Sequence, residues 1–248
     1  MSTKAKWTGQ NVAFFDTTHN ASFPSGVWAD CPVLAAMQDP NVAHSIFEDF
    51  NNIDAATLAG YTVTQASAGT FALSDAAGGV ALVDSGSATV TQGANVQKLG
   101  ECFKPAVGND IWFECRVKVA DTFDKAELFI GLAITDTTII DTSSNSSTDH
   151  VGWQCVTDDG VLLFSAEKGG TGATKAAATI AEDTWITLGF KVNGVTSIEH
   201  WVNGVKIATT HLTANISVAE LTPSFVCQSG GTNDPILHID WFKCFQLR

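Results

Sequence analysis

The stretch "WITLGFKVNGVTSIEHWVNGVKIATTHL", residues Trp185 to Leu212, contains "VNGV" twice. Around both copies apolar residues alternate with other residues, a period of two that is typical of β-strands. Asn-Gly tolerates the positive φ angles that a two-residue hairpin turn requires. The stretch therefore predicts three antiparallel strands joined by two tight turns, rather than a binding repeat. Glu199 and His200 are adjacent, so they face opposite sides of one strand and cannot form a general-base pair.

The sequence from residue 46 onward consists of short β-prone runs separated by Gly, Asn, Asp, Ser and Thr. These runs include "SIFEDFNNI", "DIWFECRVKVAD", "AELFIGLAITD" and "PILHIDWFKCFQLR". Regular short strands without helical periodicity indicate an all-β sandwich or barrel. Two segments, "TDTTIIDTSSNSSTDH" at 135–150 and "EKGGTGATKAAAT" at 167–179, are predicted to be loops.

Composition and charge exclude several classes of function. The chain has 248 residues, 45% of them hydrophobic, and a formal net charge of −13, so it is globular and acidic. Such a surface repels nucleic-acid phosphates and anionic lipids, and we expect neither partner. No apolar run resembles a membrane span or a signal peptide, which predicts folding in a cytoplasm. The six cysteines lack zinc-binding spacing, so we expect free thiols and no cofactor.

The first 45 residues differ from the rest of the chain. They contain three of the six prolines and show no sustained period of two or 3.6. We predict an irregular N-terminal arm, residues 1–45, that contacts another molecule through Trp7, Phe14, Phe15, Phe23 and Trp28. The alternative is that the arm covers its own sandwich. On the first hypothesis, a domain of residues 46–248 would not need residues 1–42 to fold.

One acidic loop is a weak candidate for a metal site. Asp136, Asp141 and Asp149 surround the Ser/Thr-rich segment, and calcium prefers several such oxygen ligands. Their spacing matches no known calcium loop. The favoured interpretation is a solvated acidic loop without a metal.

The β-prone runs also carry a family resemblance. The order of "IFEDFNN", "DIWFECRVKVAD", "TWITLGFKVNGVTSIEHWVNGVKI" and "LHIDWFKCFQ" resembles that of concanavalin-A-like jelly-roll domains. This group includes laminin-G domains, legume lectins and family-16 glycosidases. The resemblance implies a two-sheet antiparallel sandwich over residues 46–248, with the last strand close to the first. It implies a fold and not a function.

A narrower resemblance concerns residues 30–53, "DCPVLAAMQDPNVAHSIFEDFNNI". This segment is similar to one in structural proteins of tailed bacteriophages, where a Cys-Pro stretch and an Asp-Pro lead into the first strand of a sandwich. The resemblance implies a virion component that decorates or cements the capsid. Its expected partners are the major capsid protein, neighbouring virion subunits or further copies of the chain, and its expected location is the virion, assembled in the host cytoplasm.

The sequence carries no recognisable catalytic motif. Family-16 glycosidases place their carboxylates in a Glu-x-Asp-x-x-Glu run, and none of the eight glutamates here has an Asp two residues later. We therefore predict no catalytic residues and a non-enzymatic virion protein anchored through its arm. The alternatives are a carbohydrate-binding, lectin-like module and, third, a degenerate family-16-like glycosidase.

Overall fold

A computed structural model describes most of the chain. The described residues are 3–8, 11–16, 26–32, 39–51, 53, 58–74, 78–120, 126–141, 144–156, 160–208, 211 and 213–248. In 3–8 and 11–16 the description is limited to the backbone.

Strands make up almost all of the regular structure. In chain order they are β1 (Thr3–Thr8), β2 (Asn11–Asp16), β3 (Ala43–Glu48), β4 (Tyr61–Ala66), β5 (Thr70–Ser74), β6 (Val80–Asp84), β7 (Gly93–Lys98), β8 (Ile111–Ala120), β9 (Ala126–Ala133), β10 (Ile140–Asp141), β11 (Ser144–Asn145), β12 (His150–Cys155), β13 (Val161–Lys168), β14 (Thr171–Thr179), β15 (Ile186–Asn193), β16 (Ser197–Val202), β17 (Val205–Lys206), β18 (Thr222–Ser229) and β19 (Ile236–Leu247). Among the described residues, 3₁₀ turns are present at Gly26–Trp28 and Thr213–Asn215. Among the described residues no helix is long and apolar enough to span a membrane.

Most strands belong to two antiparallel sheets. The seven-stranded sheet has the order β14-β13-β12-β9-β18-β7-β4. The eight-stranded sheet has the order β17-β16-β15-β8-β19-β6-β5, and β3 also pairs with β19. This architecture confirms the predicted two-sheet, jelly-roll-type sandwich. It also confirms the expected pairing of the first strand of the domain with the last.

The main core lies between the two sheets. Alternate residues of the central strands of both sheets enter it, as the period of two predicts. Phe242 of β19 is fully buried there, and its ring lies 5.2 Å from that of Phe225 on the opposite sheet. None of the six cysteines forms a disulfide, and four of them are buried: Cys115, Cys155, Cys227 and Cys244.

The opening stretch folds as predicted, with one difference. β15, β16 and β17 form an antiparallel meander. The second turn is the expected two-residue turn, in which Asn203 and Gly204 both have positive φ angles. The first turn is longer, because Asn193 pairs with Ser197 and three residues lie between them. The prediction of two identical tight turns was therefore wrong for the first copy.

The two predicted loops contain regular structure. Residues 171–179 form β14, the edge strand of the seven-stranded sheet, so the prediction of a loop there was wrong. Small and threonine residues obscured the alternation in this strand. Within the other loop, β10 and β11 form a short two-stranded sheet.

The N-terminal 45 residues are not uniformly irregular. β1 and β2 form a hairpin whose register places Trp7 opposite Val12 and Ala5 opposite Phe14. In the described part of the chain this hairpin is hydrogen-bonded to neither large sheet. Because β3 begins at Ala43, the sandwich starts three residues before the predicted boundary at residue 46.

Residues 26–32 pack on the outer face of the eight-stranded sheet. Val27 is buried in an apolar cluster that also contains Ala43, Trp112, Trp201 and Phe245. This cluster lies on the side of the sheet opposite the main core. The alternative considered for the arm, that it covers its own sandwich, therefore applies to these residues.

A buried cation fixes the same segment. Lys191 Nζ forms an ion pair with Asp30 and lies 3.3 Å from the Asp110 carboxylate, and Trp112 Nε1 donates to Asp30 Oδ1 at 3.0 Å. Burial would raise the pKa of Asp30, but the hydrogen bonds from Lys191 and Trp112 outweigh it and lower that pKa. The base of the arm is thus tied to the sandwich by both apolar and charged contacts.

Candidate functional site

The outer face of the seven-stranded sheet is rich in polar side chains. They occupy the strand positions that point away from the core, and several of them are largely buried, among them Asn95, Gln97, Glu127, Gln154, Ser165 and Gln228. Polar groups at such positions need hydrogen-bond partners or a ligand. This face is the candidate functional surface.

Residues 134–141 and 144–149, here called the covering loop, lie across the middle of this face. Ile139 and Ile140 pack on Phe129 and Val226 in an apolar cluster separate from the main core. Gln97 also holds the loop, since its Nε2 donates to the carbonyl of Ile134 at 2.9 Å. The loop contributes to the walls of two grooves.

The first groove, here called the Gln154 groove, has a volume of about 320 Å³. Its lining includes Asn145, Gln154, Ser165, Glu167, Gly172 and Thr174. Asn145 Nδ2 donates to Gln154 Oε1 at 2.9 Å, which orients both amides. The groove therefore presents amides, hydroxyls and one carboxylate.

His150 organises the floor of the Gln154 groove. Its Nδ1 lies 3.0 Å from the Ser147 carbonyl oxygen, so this nitrogen carries the proton and donates. Its Nε2, 2.8 Å from Ser165 Oγ, therefore accepts from that hydroxyl. Burial lowers the pKa of His150 to about 4, which keeps the imidazole neutral near pH 7.

Glu167 is the carboxylate of this groove. Burial and the nearby charge of Asp149 raise its pKa. The Asp149 carboxylate accepts hydrogen bonds from Ser217 Oγ at 2.6 Å and from the Gly169 amide at 3.2 Å. Asp149 is thus engaged in holding loops, whereas Glu167 lines the groove.

The second groove, here called the Asn95 groove, has a volume of about 300 Å³. It is lined by residues of β4, β7 and β18 together with the covering loop, and Asp141 is its carboxylate. Gln228, which also lines it, donates through Nε2 to the buried Glu127. Asn95 Nδ2 donates to the Asp136 carbonyl at 2.6 Å.

The three predicted metal candidates do not converge. Asp136 Oδ1 accepts the Thr138 amide at 2.8 Å, Asp141 lines the Asn95 groove, and Asp149 binds Ser217 and Gly169. Within the described ranges no group of three or more His, Cys, Asp or Glu side chains could hold a metal ion. The favoured interpretation of a loop without a metal stays a prediction.

The predicted arm residues have different surroundings. Trp7, Phe14 and Phe15 fall in β1 and β2, and Phe23 lies outside the described residues. Trp28 donates through Nε1 to Glu114 Oε2 at 2.7 Å, and its ring lies 4.8 Å from Lys243 Nζ. Trp28 therefore contacts the sandwich itself, and the predicted contact of the arm residues with another molecule stays a prediction.

Paired carboxylates of the glycosidase type are not visible in either groove. Among the described residues each groove is lined by one carboxylate, Glu167 or Asp141. Retaining glycosidases need two carboxyl groups about 5–5.5 Å apart. Asp158 and Asp159, which follow the groove residue Val156 in the chain, lie outside the described residues.

Sequence comparisons identify no relatives. No protein-family model matches the chain, and no curated protein matches it.

Solved structures, in contrast, share the fold. The chain is similar to a protein of unknown function from Shewanella oneidensis MR-1, with 14% identity, a TM-score of 0.60 and coverage of 84% of this chain and 87% of that one. It is similar to the endo-1,3-β-glucanase of Streptomyces sioyaensis, with 11% identity, a TM-score of 0.58 and coverage of 84% and 98%. Peanut lectin matches with 10% identity, a TM-score of 0.53 and coverage of 83% and 98%. The concanavalin-A-like fold is thereby confirmed.

These structures correct the prediction that the protein is not an enzyme. That prediction rested on a missing sequence motif, yet the chain shares its fold with endo-glucanases, including a family-16 enzyme from Bacteroides ovatus at 11% identity. Similarity at this level establishes the fold and no activity. The missing motif therefore does not exclude catalysis.

The sequence indicated polar residues in "HVGWQC" and "LLFSAE" but not the site they form. His150, Gln154 and Ser165 meet because β12 pairs with β13 and residues two apart share a face. Alternation within each run could have placed them on an outer face. The contribution of Asn145 from the covering loop had no signal in the sequence.

Proposed function

We propose that the protein is a structural component of a tailed-bacteriophage virion, attached to the capsid surface through the β1–β2 hairpin. The observation that carries the proposal is that, in the described part of the chain, this hairpin is hydrogen-bonded to neither large sheet. The hairpin forms a sheet of its own, whereas residues 26–32 are fixed to the eight-stranded sheet. A fixed base and a separate hairpin suit a protein that is held on a lattice by its N-terminus.

Two further features support the same function. The hairpin sequence is rich in apolar residues, and such residues gain free energy when a partner buries them. Residues 30–53 carry the resemblance to phage structural proteins. The expected partners are the major capsid protein, a neighbouring virion subunit or another copy of the chain, and the expected location is the virion.

Removal of residues 1–24 is expected to weaken attachment strongly without unfolding the sandwich. The test is co-sedimentation with empty heads assembled from the major capsid protein of the same genome. We expect the full chain to sediment with the heads and the truncated chain to lose at least about tenfold in affinity, equivalent to about 1.4 kcal/mol.

The control is a full-length chain with Thr64→Ala, a change in the Asn95 groove far along the chain from the hairpin. It should sediment like the unaltered protein. Equal binding by the truncated chain, or no binding by the full chain, would contradict the proposal.

A second candidate function is carbohydrate binding, favoured by the Gln154 groove. Its oriented amides, the Ser165 hydroxyl and the Glu167 carboxylate offer the donors and acceptors that sugar hydroxyls require. The expected ligand is a glycan that lies along β12, β13 and β14.

Gln154→Ala is expected to weaken glycan binding about tenfold. The substitution removes an amide that lines the groove, and it also takes from Asn145 Nδ2 the oxygen to which it donates. A glycan array identifies the ligand, and calorimetry compares the variant with the unaltered chain. Thr64→Ala in the Asn95 groove is the matched control and should bind normally. An array without a signal, or equal affinities for all three proteins, would count against this function.

A further inference from the structure

Two histidines lie in the core between the sheets. His200 is fully buried on β16, and His211 is 4% exposed. The His200 ring stacks on Phe164 at a centroid distance of 4.6 Å and an interplanar angle of 2°, and the His211 ring lies 5.0 Å from the same phenyl. The two imidazoles are 5.9 Å apart, and the Trp153 ring is 5.4 Å from His200. Their surroundings are aromatic.

His211 lacks the partners that would stabilise a positive charge. Both of its ring nitrogens are buried and without a hydrogen-bond partner among the described residues. The positive charge of Lys175 on β14 disfavours protonation of His211, and a protonated His211 disfavours protonation of His200. Both electrostatic effects lower the pKa of the histidine concerned. In the described part of the chain, no carboxylate is among the groups that set the pKa of His211. Burial first, and these charges second, lower the pKa of each histidine to about 4.

His211 is close to a strap, residues 213–221, that closes one side of the sandwich. Ile216 and Leu221 of the strap are buried in the main core. Asn215 Nδ2 donates to the Thr171 carbonyl at 3.1 Å, and Ser217 Oγ donates to Asp149. The strap therefore holds the β13–β14 hairpin, which carries one wall of the Gln154 groove.

We propose that protonation of His211, next to His200, opens the 213–221 strap in acid. Protonation places a charge where the described residues offer the His211 ring nitrogens no acceptor, which favours conformations in which the ring reaches water. In this proposal the adjacent strap is the part of the cover that gives way. Opening frees the Asn215 and Ser217 contacts and loosens the wall of the Gln154 groove.

The direction of the pH effect follows from linkage. Because the closed-state pKa of His211 is below that of the open state, the closed strap is favoured above about pH 6.5 and loses stability as the pH falls toward 4. With values of 6.5 when open and about 4 when closed, the open-to-closed ratio rises about 30-fold between pH 7.5 and pH 5 for one histidine.

Hydrogen–deuterium exchange of the full chain tests the proposal. After correction for intrinsic exchange, amides of 213–221 should open about 30-fold more at pH 5 than at pH 7.5. His211→Phe keeps an apolar ring and should lose this response. His238→Gln, a change on β19 in the other sheet, should keep it.

Three results would overturn the proposal. They are unchanged strap protection in acid, a full acid response in a folded His211→Phe variant, or equal acceleration in every core strand. If His211→Phe does not fold, nuclear magnetic resonance titration of the unaltered protein decides. A His211 that titrates while the strap stays protected rejects the mechanism, whereas coincident titration and opening support it.

Discussion

We expect removal of residues 1–42 to lower the melting temperature by about 10 °C or more, whereas removal of residues 1–24 should change it by less than about 2 °C. The longer deletion uncovers Trp112, Trp201 and Phe245, which Val27 and its neighbours bury. Fully burying one such side chain stabilises a protein by about 1.5–3 kcal/mol. A loss of about 3–5 kcal/mol follows for the cluster.

The longer deletion also removes Asp30. Lys191 then stays on the sheet with Asp110 as its remaining carboxylate neighbour, and its Nζ loses the closer of two ion pairs. The Asp30 side chain is 60% exposed and Asp110 remains beside Lys191, so the loss of this pair costs less than the uncovering of the apolar cluster. Both effects act in the same direction.

Calorimetry of the three chains at pH 7.5 measures this difference. The sequence alone predicts that residues 1–42 are dispensable for folding, whereas the packing of residues 26–32 on the sheet leads us to expect the opposite. Equal melting temperatures for both deletions would mean that these residues do not stabilise the sandwich. A large loss from the shorter deletion would mean that the hairpin belongs to the fold.

Phe242→Ala is expected to destabilise the protein by about 3–5 kcal/mol. The Phe242 ring is fully buried between the sheets and lies within 6.5 Å of the rings of Phe50, Phe113 and Phe225. Truncation leaves a cavity that a tight sandwich cannot close. Urea unfolding at pH 7.5 measures the loss as a lower midpoint.

Phe47→Ala is the matched control on the neighbouring strand β3. The Phe47 side chain is 67% exposed, so its loss should change the free energy of unfolding by less than about 0.5 kcal/mol. A loss comparable to that of Phe242→Ala would show that a partner covers Phe47 in solution. A small loss for Phe242→Ala would contradict the assignment of β19 to the core.

A catalytic motif searched for along one strand of the sequence is not sufficient to decide whether the protein is an enzyme. The sequence argument treated the missing Glu-x-Asp-x-x-Glu run as an exclusion of glycosidase chemistry. A groove, however, collects side chains from several strands and from the covering loop, as Asn145, Gln154 and Glu167 illustrate. Absence of a linear pattern therefore does not describe what a folded surface contains.

The sequence by itself determined the all-β class and the meander of residues 186–206. These features depend on alternation with a period of two and on turn residues, which act over a few positions of the chain. The second Asn-Gly turn follows from local φ preferences alone. For the same reason the sequence missed β14, where alternation is weak.

Tertiary structure alone decided what covers each sheet. Asp30 meets Lys191 across 161 positions of the chain, and Ser217 meets Asp149 across 68. The loop that forms the two grooves and the cage around His211 depend on equally distant contacts. Local alternation assigns a residue to one face of a strand, but the partner of that face depends on which strands pair and how the sheets stack.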